Sequence, residues 1–318
     1  MIIKCRERPM KIKGYEALLT RMPEYHAKRE MIQDLLYSAN AGIGGEERLD
    51  ECLKYFDPPY PCLIIQDLSL PEKCQIDTLV ITQQAIIILE VKNMSGKLRL
   101  QENPSALIQT LPSGQVKSYK SPVVQMETAK IKVEKIVNQY NFALPIKTSL
   151  VLAYPSQFIE NVPSHVTVWS ADEVLYRLYR MNYSNPLITI DEMDRLGKHL
   201  LSVSKPHNPF PLIPNLKISP DTINKGMLCP KCHNQKMKRL KRHWHCPYCK
   251  LSSYDAHLQA LDEWFMLFQP TINTEECMDY LGLQNTLSAS RILKKMDLEQ
   301  YGGKKFRQYH LKENHRFQ

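Results

Sequence analysis

Three charges sit inside the apolar runs of QIDTLVITQQAIIILEVKNMSG, residues 75–96: Asp77, Glu90 and Lys92. Residues i and i+2 of a strand share a face, so Glu90 and Lys92 fall with Ile86 and Ile88, while Ile87, Leu89 and Val91 point the other way. If Gln83 and Gln84 form a two-residue hairpin loop, Thr82 pairs with Ala85 and counting outward sets Asp77 directly opposite Glu90. Opposed residues hold their Cβ atoms about 4.5–5.5 Å apart, where like charges destabilise. A hard divalent cation would neutralise them, since Mg²⁺ typically takes one or two protein carboxylates and keeps other positions for water and phosphate oxygens. Lys92 would then help deprotonate water or stabilise charge developing on phosphate. The same residues also read as a Glu90–Lys92 ion pair at a sheet end beside an independent strand-terminal acid, and a lone E-x-K does not choose between the two.

A second constellation is CPKCHNQKMKRLKRHWHCPYC, which spaces Cys229, Cys232, Cys246 and Cys249 as C-x₂-C-x₁₃-C-x₂-C. Two such pairs supply the four thiolates of a structural Zn²⁺ site, and with that set complete His243 and His245 are left for the surface or a partner. So small a ribbon needs its metal to fold. Between Lys225 and Lys250 stand eight Lys or Arg residues and no acid, against a net charge of +9 for the whole chain. Concentrated positive charge without an amphipathic helix points to nucleic acid before membrane. Lys236, Lys238, Arg239, Lys241 and Arg242 are the phosphate contacts expected there. Trp244 and Tyr248 offer rings on which single-stranded bases could stack, with packing the alternative for Tyr248.

These groups need elements to hold them. Residues 10–40 look helical, and GIGGEERLDECLKYF opens a helix after a glycine hinge, with Leu49, Leu53 and Phe56 as its apolar stripe. CLIIQDL, IDTLVIT and IIILEVK read as strands, and a polar stretch with turns follows. PVVQMETAKIKVEKIVNQY is a helix with Val124, Thr128, Ile131 and Lys135 along one side. IKTSLVLAYP and HVTVWS are further strands and ADEVLYRLYRM a helix, an order that predicts one sheet with helices over its faces. Prolines 206, 209, 211, 214 and 220 mark a semi-rigid spacer. The expected divisions are therefore 1–204, a linker at 205–224, a ribbon at 225–254 and a last domain at 255–318. In that last domain, helix, helix, turn, helix and a Gly302-Gly303 hairpin resemble a winged helix-turn-helix. Ser288, Arg291, Lys294 and Lys295 would face a groove, and Lys304, Lys305 and Arg307 the backbone. No apolar run approaches the length of a membrane span and the N-terminus lacks an apolar leader, so a cytoplasmic protein is expected.

GIGGEERL, CQIDTLVI, ILEVKNMSG and SPVVQ occur in the order and approximate spacing of the nuclease-related domain (NERD), a branch of the PD-(D/E)xK restriction-endonuclease-like superfamily. The resemblance covers residues 40–150. It implies a central mixed sheet flanked by helices, Asp77 and Glu90 as ligands of Mg²⁺ or Mn²⁺ with the Val91 carbonyl beside them, and Lys92 as the catalytic lysine. It further implies Glu46 as an accessory acid and Gln125 as the polar residue of the following helix. Read from the residues alone, Glu46 or its neighbour Glu47 would favour a helix N-terminus, and Gln125 would be a capping or surface amide. The proline of the superfamily motif is replaced by Ile76. The cysteine module is similar to the C-terminal ribbons of type IA topoisomerases. Together these imply a metal-dependent DNA nuclease. An RNA-directed enzyme and a non-catalytic nucleic-acid-binding or regulatory protein are the alternatives.

Overall fold

The computed structural model describes residues 1–140, 144–181, 184–233, 235–303 and 306–312. The chain divides into two compact units, one made of residues 1–8 and 40–207 and the other of residues 9–39 and 208–318.

The first unit is built on six strands. They are β1 (Ile2–Lys4), β2 (Cys62–Leu70), β3 (Cys74–Thr82), β4 (Ile86–Lys92), β8 (Ile146–Leu152) and β10 (Val168–Ser170), hydrogen-bonded in the order β1-β2-β3-β4-β8-β10. The sheet is mixed: β2, β3 and β4 form an antiparallel meander, while β1 runs parallel to β2, and β8 runs parallel to β4 and to β10. Strands covered on both sides lose the alternation of a half-exposed sheet, and β3 and β4 are accordingly buried at every position but Gln75 and Lys92.

Period-2 geometry divides those apolar residues between the two faces. Leu79, Ile81, Ile86 and Ile88 pack with Ala129 and Val133 of α3 (Pro122–Val137) and with Met193 and Leu196 of α5 (Ile190–Ser202). Val80, Ile87, Leu89 and Val91 pack with Leu49 and Leu53 of α2 (Arg29–Leu53) and with Val174 and Leu178 of α4 (Ala171–Tyr179). The expected face of α3 is reversed. Its buried stripe is Pro122, Met126, Ala129, Val133 and Val137, whereas Val124 and Ile131 are each 51% exposed. Both stripes have helical spacing, and Thr128 and Lys135 made the rejected one the more polar.

The polar stretch after β4 is also a sheet. The strands β5 (Lys97–Glu102), β6 (Ser105–Thr110) and β7 (Val116–Lys120) form an antiparallel meander, and β9 (Ile159–Glu160) adds to its edge. Leu98, Leu100, Leu107 and Ile159 carry its inward face, against Met126, Leu150 and Leu152.

The second unit begins with α1 (Met10–Arg21) and continues with α6 (Leu212–Asn215) and α7 (Ala256–Leu267). Ala17, Leu18, Met22 and Ile32 share a core with Leu212, Ile213, Ile218 and Ile223, so the proline-rich segment packs instead of serving as a bare spacer. Three short antiparallel strands follow: β11 (Lys238–Leu240), β12 (His243–His245) and β13 (Ser252–Ser253). The last elements are β14 (Thr271–Ile272), α8 (Thr274–Leu281), α9 (Thr286–Lys295), β15 (Leu298–Tyr301) and β16 (Gln308–Leu311), with sheet order β14-β16-β15. Asn273 opens α8 through a capping box with Glu276. Among the described residues no helix is long and apolar enough to cross a membrane.

Candidate active site

The hairpin loop has two residues. Thr82 N–H donates to the Ala85 carbonyl at 3.0 Å, and the ladder runs from Ile81↔Ile86 to Thr78↔Leu89. Asp77 and Glu90 are the next pair along that register, and there the ladder opens. Asp77 Oδ2 accepts the Val91 N–H at 2.7 Å, and the Asp77 carbonyl accepts from Arg6 Nη2 at 2.6 Å. On the other side of β3, the partner position Asp67 adopts a left-handed φ of 53° and drops out of the β2–β3 ladder. Asp77 thus stands where strand pairing fails on both sides, and its carboxylate substitutes for one missing strand bond.

Glu90 follows on β4, and its Oε1 accepts from Lys92 Nζ at 2.5 Å. Asp77 and Glu90 are only 8% and 6% exposed. Burial, reinforced by the charge of Asp77 and opposed by Lys92, pushes the Glu90 carboxyl up to about 7. Burial also raises Asp77, against the pull of Lys92, the Val91 amide and Arg6. For Lys92, burial works against the charged form, but Glu90 and Asp77 outweigh it and raise its pKa. Two acids short of water and sharing one lysine are under-neutralised. Among the described residues nothing else bonds either carboxylate, so the pair fits a hard divalent cation by its donor type. The Val91 contact to this pair is made by its amide; its predicted carbonyl role has no counterpart in that bond.

Of the two accessory residues, Gln125 lies near a helix start as expected and Glu46 does not. Glu46 lies in the middle of α2, because the helix runs unbroken through Gly42, Gly44 and Gly45. The glycine at 45 serves a close approach: a Cβ there would meet Asn93 Cβ at 2.4 Å. Asn93, which follows Lys92, also donates from Nδ2 to the Ala41 carbonyl at 2.9 Å. Helix α2 is therefore pinned against the end of β4, and the expected hinge is a contact. Gln125 lies in the first turn of α3 with an exposed side chain and no side-chain hydrogen bond among the described residues.

Arg6 escaped sequence reasoning. Its guanidinium, 4% exposed, meets Glu46 Oε2 at 2.5 Å and Asp50 Oδ2 at 2.8 Å besides the Asp77 carbonyl. Burial opposes its charge, but Glu46, Asp50 and Asp77 outweigh that and raise its pKa. The available signal was Glu46 and Asp50 at i and i+4, two acids on one helix face that call for a cation. Arg6→Ala removes the buried guanidinium from two partly buried acids and from the Asp77 carbonyl, and is expected to cost about 3–5 kcal/mol. A urea-unfolding loss below about 1 kcal/mol would remove Arg6 from this role.

The four cysteines come together. Their sulfurs all lie within 4.8 Å of one another, with Cys229–Cys249 at 3.5 Å and Cys232–Cys246 at 3.7 Å. A Zn–S distance of about 2.3 Å implies a tetrahedral edge of about 3.8 Å, so the thiols fit zinc. Both turns use the same backbone device. His233 N–H returns to the Cys229 carbonyl and Lys250 N–H to the Cys246 carbonyl, with φ of 53° and 60° at the two donors.

Lys236, Lys238, Arg239, Lys241 and Arg242 are exposed, as are Arg291, Lys294 and Lys295 on α9; Lys304 and Lys305 lie outside the described residues. Trp244 is not available for base stacking. It is 1% exposed, packed in a cluster with Cys229, Cys246, Leu261 and Phe265, and covered by the Arg239 guanidinium 4.8 Å from its ring. Tyr248 remains 66% exposed.

No curated protein and no solved structure matches the chain. A family model does match, over a stretch that contains both carboxylates and the lysine and ends well before the cysteines. The chain carries a nuclease-related domain (NERD), a restriction-endonuclease-like domain, at residues 41–153.

Proposed function

We propose that this protein is a divalent-metal-dependent nuclease that hydrolyses phosphodiester bonds of DNA. The observation that carries the proposal is the meeting of Asp77, Glu90 and Lys92 where the β3–β4 ladder opens. Asp77 and Glu90 would hold Mg²⁺ or Mn²⁺. When bound, the ion supplies Lewis acidity, drawing charge from the phosphodiester. The Val91 amide fixes the Asp77 carboxylate, and the Arg6 guanidinium fixes the β3 backbone behind it. Lys92, whose Nζ donates to Glu90 Oε1, would stabilise negative charge developing on phosphate. Glu46, held by Arg6, would act as an accessory acid and Gln125 as a substrate-contacting amide.

A zinc ribbon around Cys229, Cys232, Cys246 and Cys249 and a winged-helix arrangement of α7, α8, α9 and the β15–β16 hairpin would bind substrate. Lys236, Lys238, Lys241 and Arg242 are suited to phosphates, which are read by charge and carry no base identity. Arg291 and Lys294 share an exposed helix face whose opposite side, Ala289, Ile292 and Leu293, is buried.

The test is cleavage of single-stranded DNA, duplex DNA, branched DNA and RNA by the purified protein with Mg²⁺ or Mn²⁺ and with chelator. Metal-dependent cutting of a DNA substrate is expected. Cutting of RNA alone would replace the substrate class, and no cutting of any substrate by zinc-loaded protein would overturn the enzymatic assignment.

A further inference from the structure

Beside Lys92 lies a cavity of about 300 Å³ lined by Asn93, Met94, Ser95, Gly96, Tyr154, Ser156 and Gln157. We infer that this cavity receives an unpaired nucleobase next to the reacting phosphate, with Tyr154 as its stacking surface; the inference rests on the nuclease assignment. Its walls are the two segments that leave neighbouring parallel strands at the same end. Asn93 follows β4, Tyr154 lies two residues beyond β8, and Lys92 pairs with Leu152 across those strands. The backbone bond from Ala153 N–H to the Lys92 carbonyl, 3.1 Å, carries the pairing to the cavity's edge.

The cavity is held open by its own bonds. Gln157 Nε2 donates to the Met94 carbonyl at 3.0 Å and to Asn93 Oδ1 at 3.3 Å, and Gln157 Oε1 accepts the Tyr154 N–H at 3.0 Å. Gly96 turns the first wall with φ +80°, where a Cβ would meet the Thr110 carbonyl oxygen at 2.4 Å. The amides of Asn93 and Gln157 are thus occupied in joining the walls. What remains for a ligand is the Tyr154 ring, 43% exposed, and the Ser95 and Ser156 hydroxyls, which have no protein partner among the described residues.

A flat ring with hydroxyl groups that both donate and accept suits a base, which has a π-face and a polar edge, and the size stands at the lower end for ligand pockets. A phosphate at Lys92 brings the base of its own nucleotide or of the next to this place. Bases inside a duplex are stacked on one another and cannot reach a side-chain ring without leaving the stack. The cavity therefore selects single-stranded or unstacked substrate.

The experiment measures binding of trideoxythymidylate, and of the same trimer with abasic positions, to the full zinc-loaded protein with Ca²⁺ in place of Mg²⁺. Tyr154→Ala is expected to weaken the base-bearing trimer about tenfold and leave the abasic one unchanged, while Tyr154→Phe keeps wild-type affinity. A trimer carrying 5-iododeoxyuridine should photocross-link to the peptide containing Tyr154. Equal losses for both trimers, no loss for either, or cross-links confined to residues beyond 207 would overturn the inference. Binding is measured apart from cleavage, so the two ideas fail separately. A protein that cuts nothing but shows Tyr154-dependent base binding loses the nuclease assignment alone, and one that cuts while Tyr154→Ala binds like wild type loses the base site alone.

Discussion

Lys92→Ala lowers metal-dependent cleavage at least about a hundredfold, the usual cost of removing one aimed charge from a developing oxyanion. Glu90→Ala and Asp77→Ala abolish it, because each removes one of the two carboxylates proposed to hold the ion. Binding of uncut substrate is retained in all three, since the exposed bases of the second unit are untouched. The pH profile follows from burial. Burial pushes Glu90 up to about 7, so protons compete with the divalent ion for it: at limiting metal, cleavage is expected to rise as pH climbs through about 7, and saturating metal moves that rise to lower pH. Without divalent ions the same shift acts on stability with the opposite slope. A carboxyl raised in the folded state binds its proton more tightly there than when unfolded, so its contribution declines between the ordinary carboxylate range and about pH 7. Equal cleavage rates for wild type and the three variants would sink the assignment of these residues.

Removing zinc has the largest expected effect on stability. Structural Zn²⁺ in small thiolate sites supplies apparent binding free energies of about 10–16 kcal/mol near neutral pH, and that energy is folding energy. The ribbon is not a separate bead. Met227, Cys229, Met237, Trp244 and Cys246 share one apolar cluster with Ala260, Leu261, Phe265 and Tyr280 of the helices that follow. Stripping the metal should therefore unfold more than the ribbon, exposing Trp244 and loosening α7 and α8. Tryptophan fluorescence and hydrogen exchange would report this as a chelator-dependent loss of protection reaching residues 256–281. Reduced protein that carries no zinc, or that keeps its protection in strong chelator, would refute the metal site.

How much of this was legible depended on how local the determining physics was. The β3–β4 hairpin was legible because a two-residue loop fixes register and period 2 fixes facing, so Asp77, Glu90 and Lys92 could be brought together by counting. The cysteine quartet was legible because its turns are local. The exposure of Val124 and Ile131 was not, since two helical stripes competed and only the sheet beneath could choose. The β5–β7 meander was hidden because three leucines and Ile159 suffice for its thin core. Arg6 was hidden because its partners lie 40 to 72 residues away. The unbroken run of α2 through its glycines was missed because Asn93, which requires Gly45, comes from another element.

One feature of the second unit bears on how the protein is made. Its core joins Ala17, Leu18, Met22 and Ile32 to residues from Leu212 onward. A ribosome delivers α1 before residues 40–207 of the first unit, and its partners from Leu212 onward after them. Until then α1 has only Met22, Ile32 and Leu35 of this cluster beside it, so the nascent chain presents a partly uncovered hydrophobic segment while the first unit is made. The order of synthesis thus makes α1 wait for most of its core until residues 212–267 have followed it.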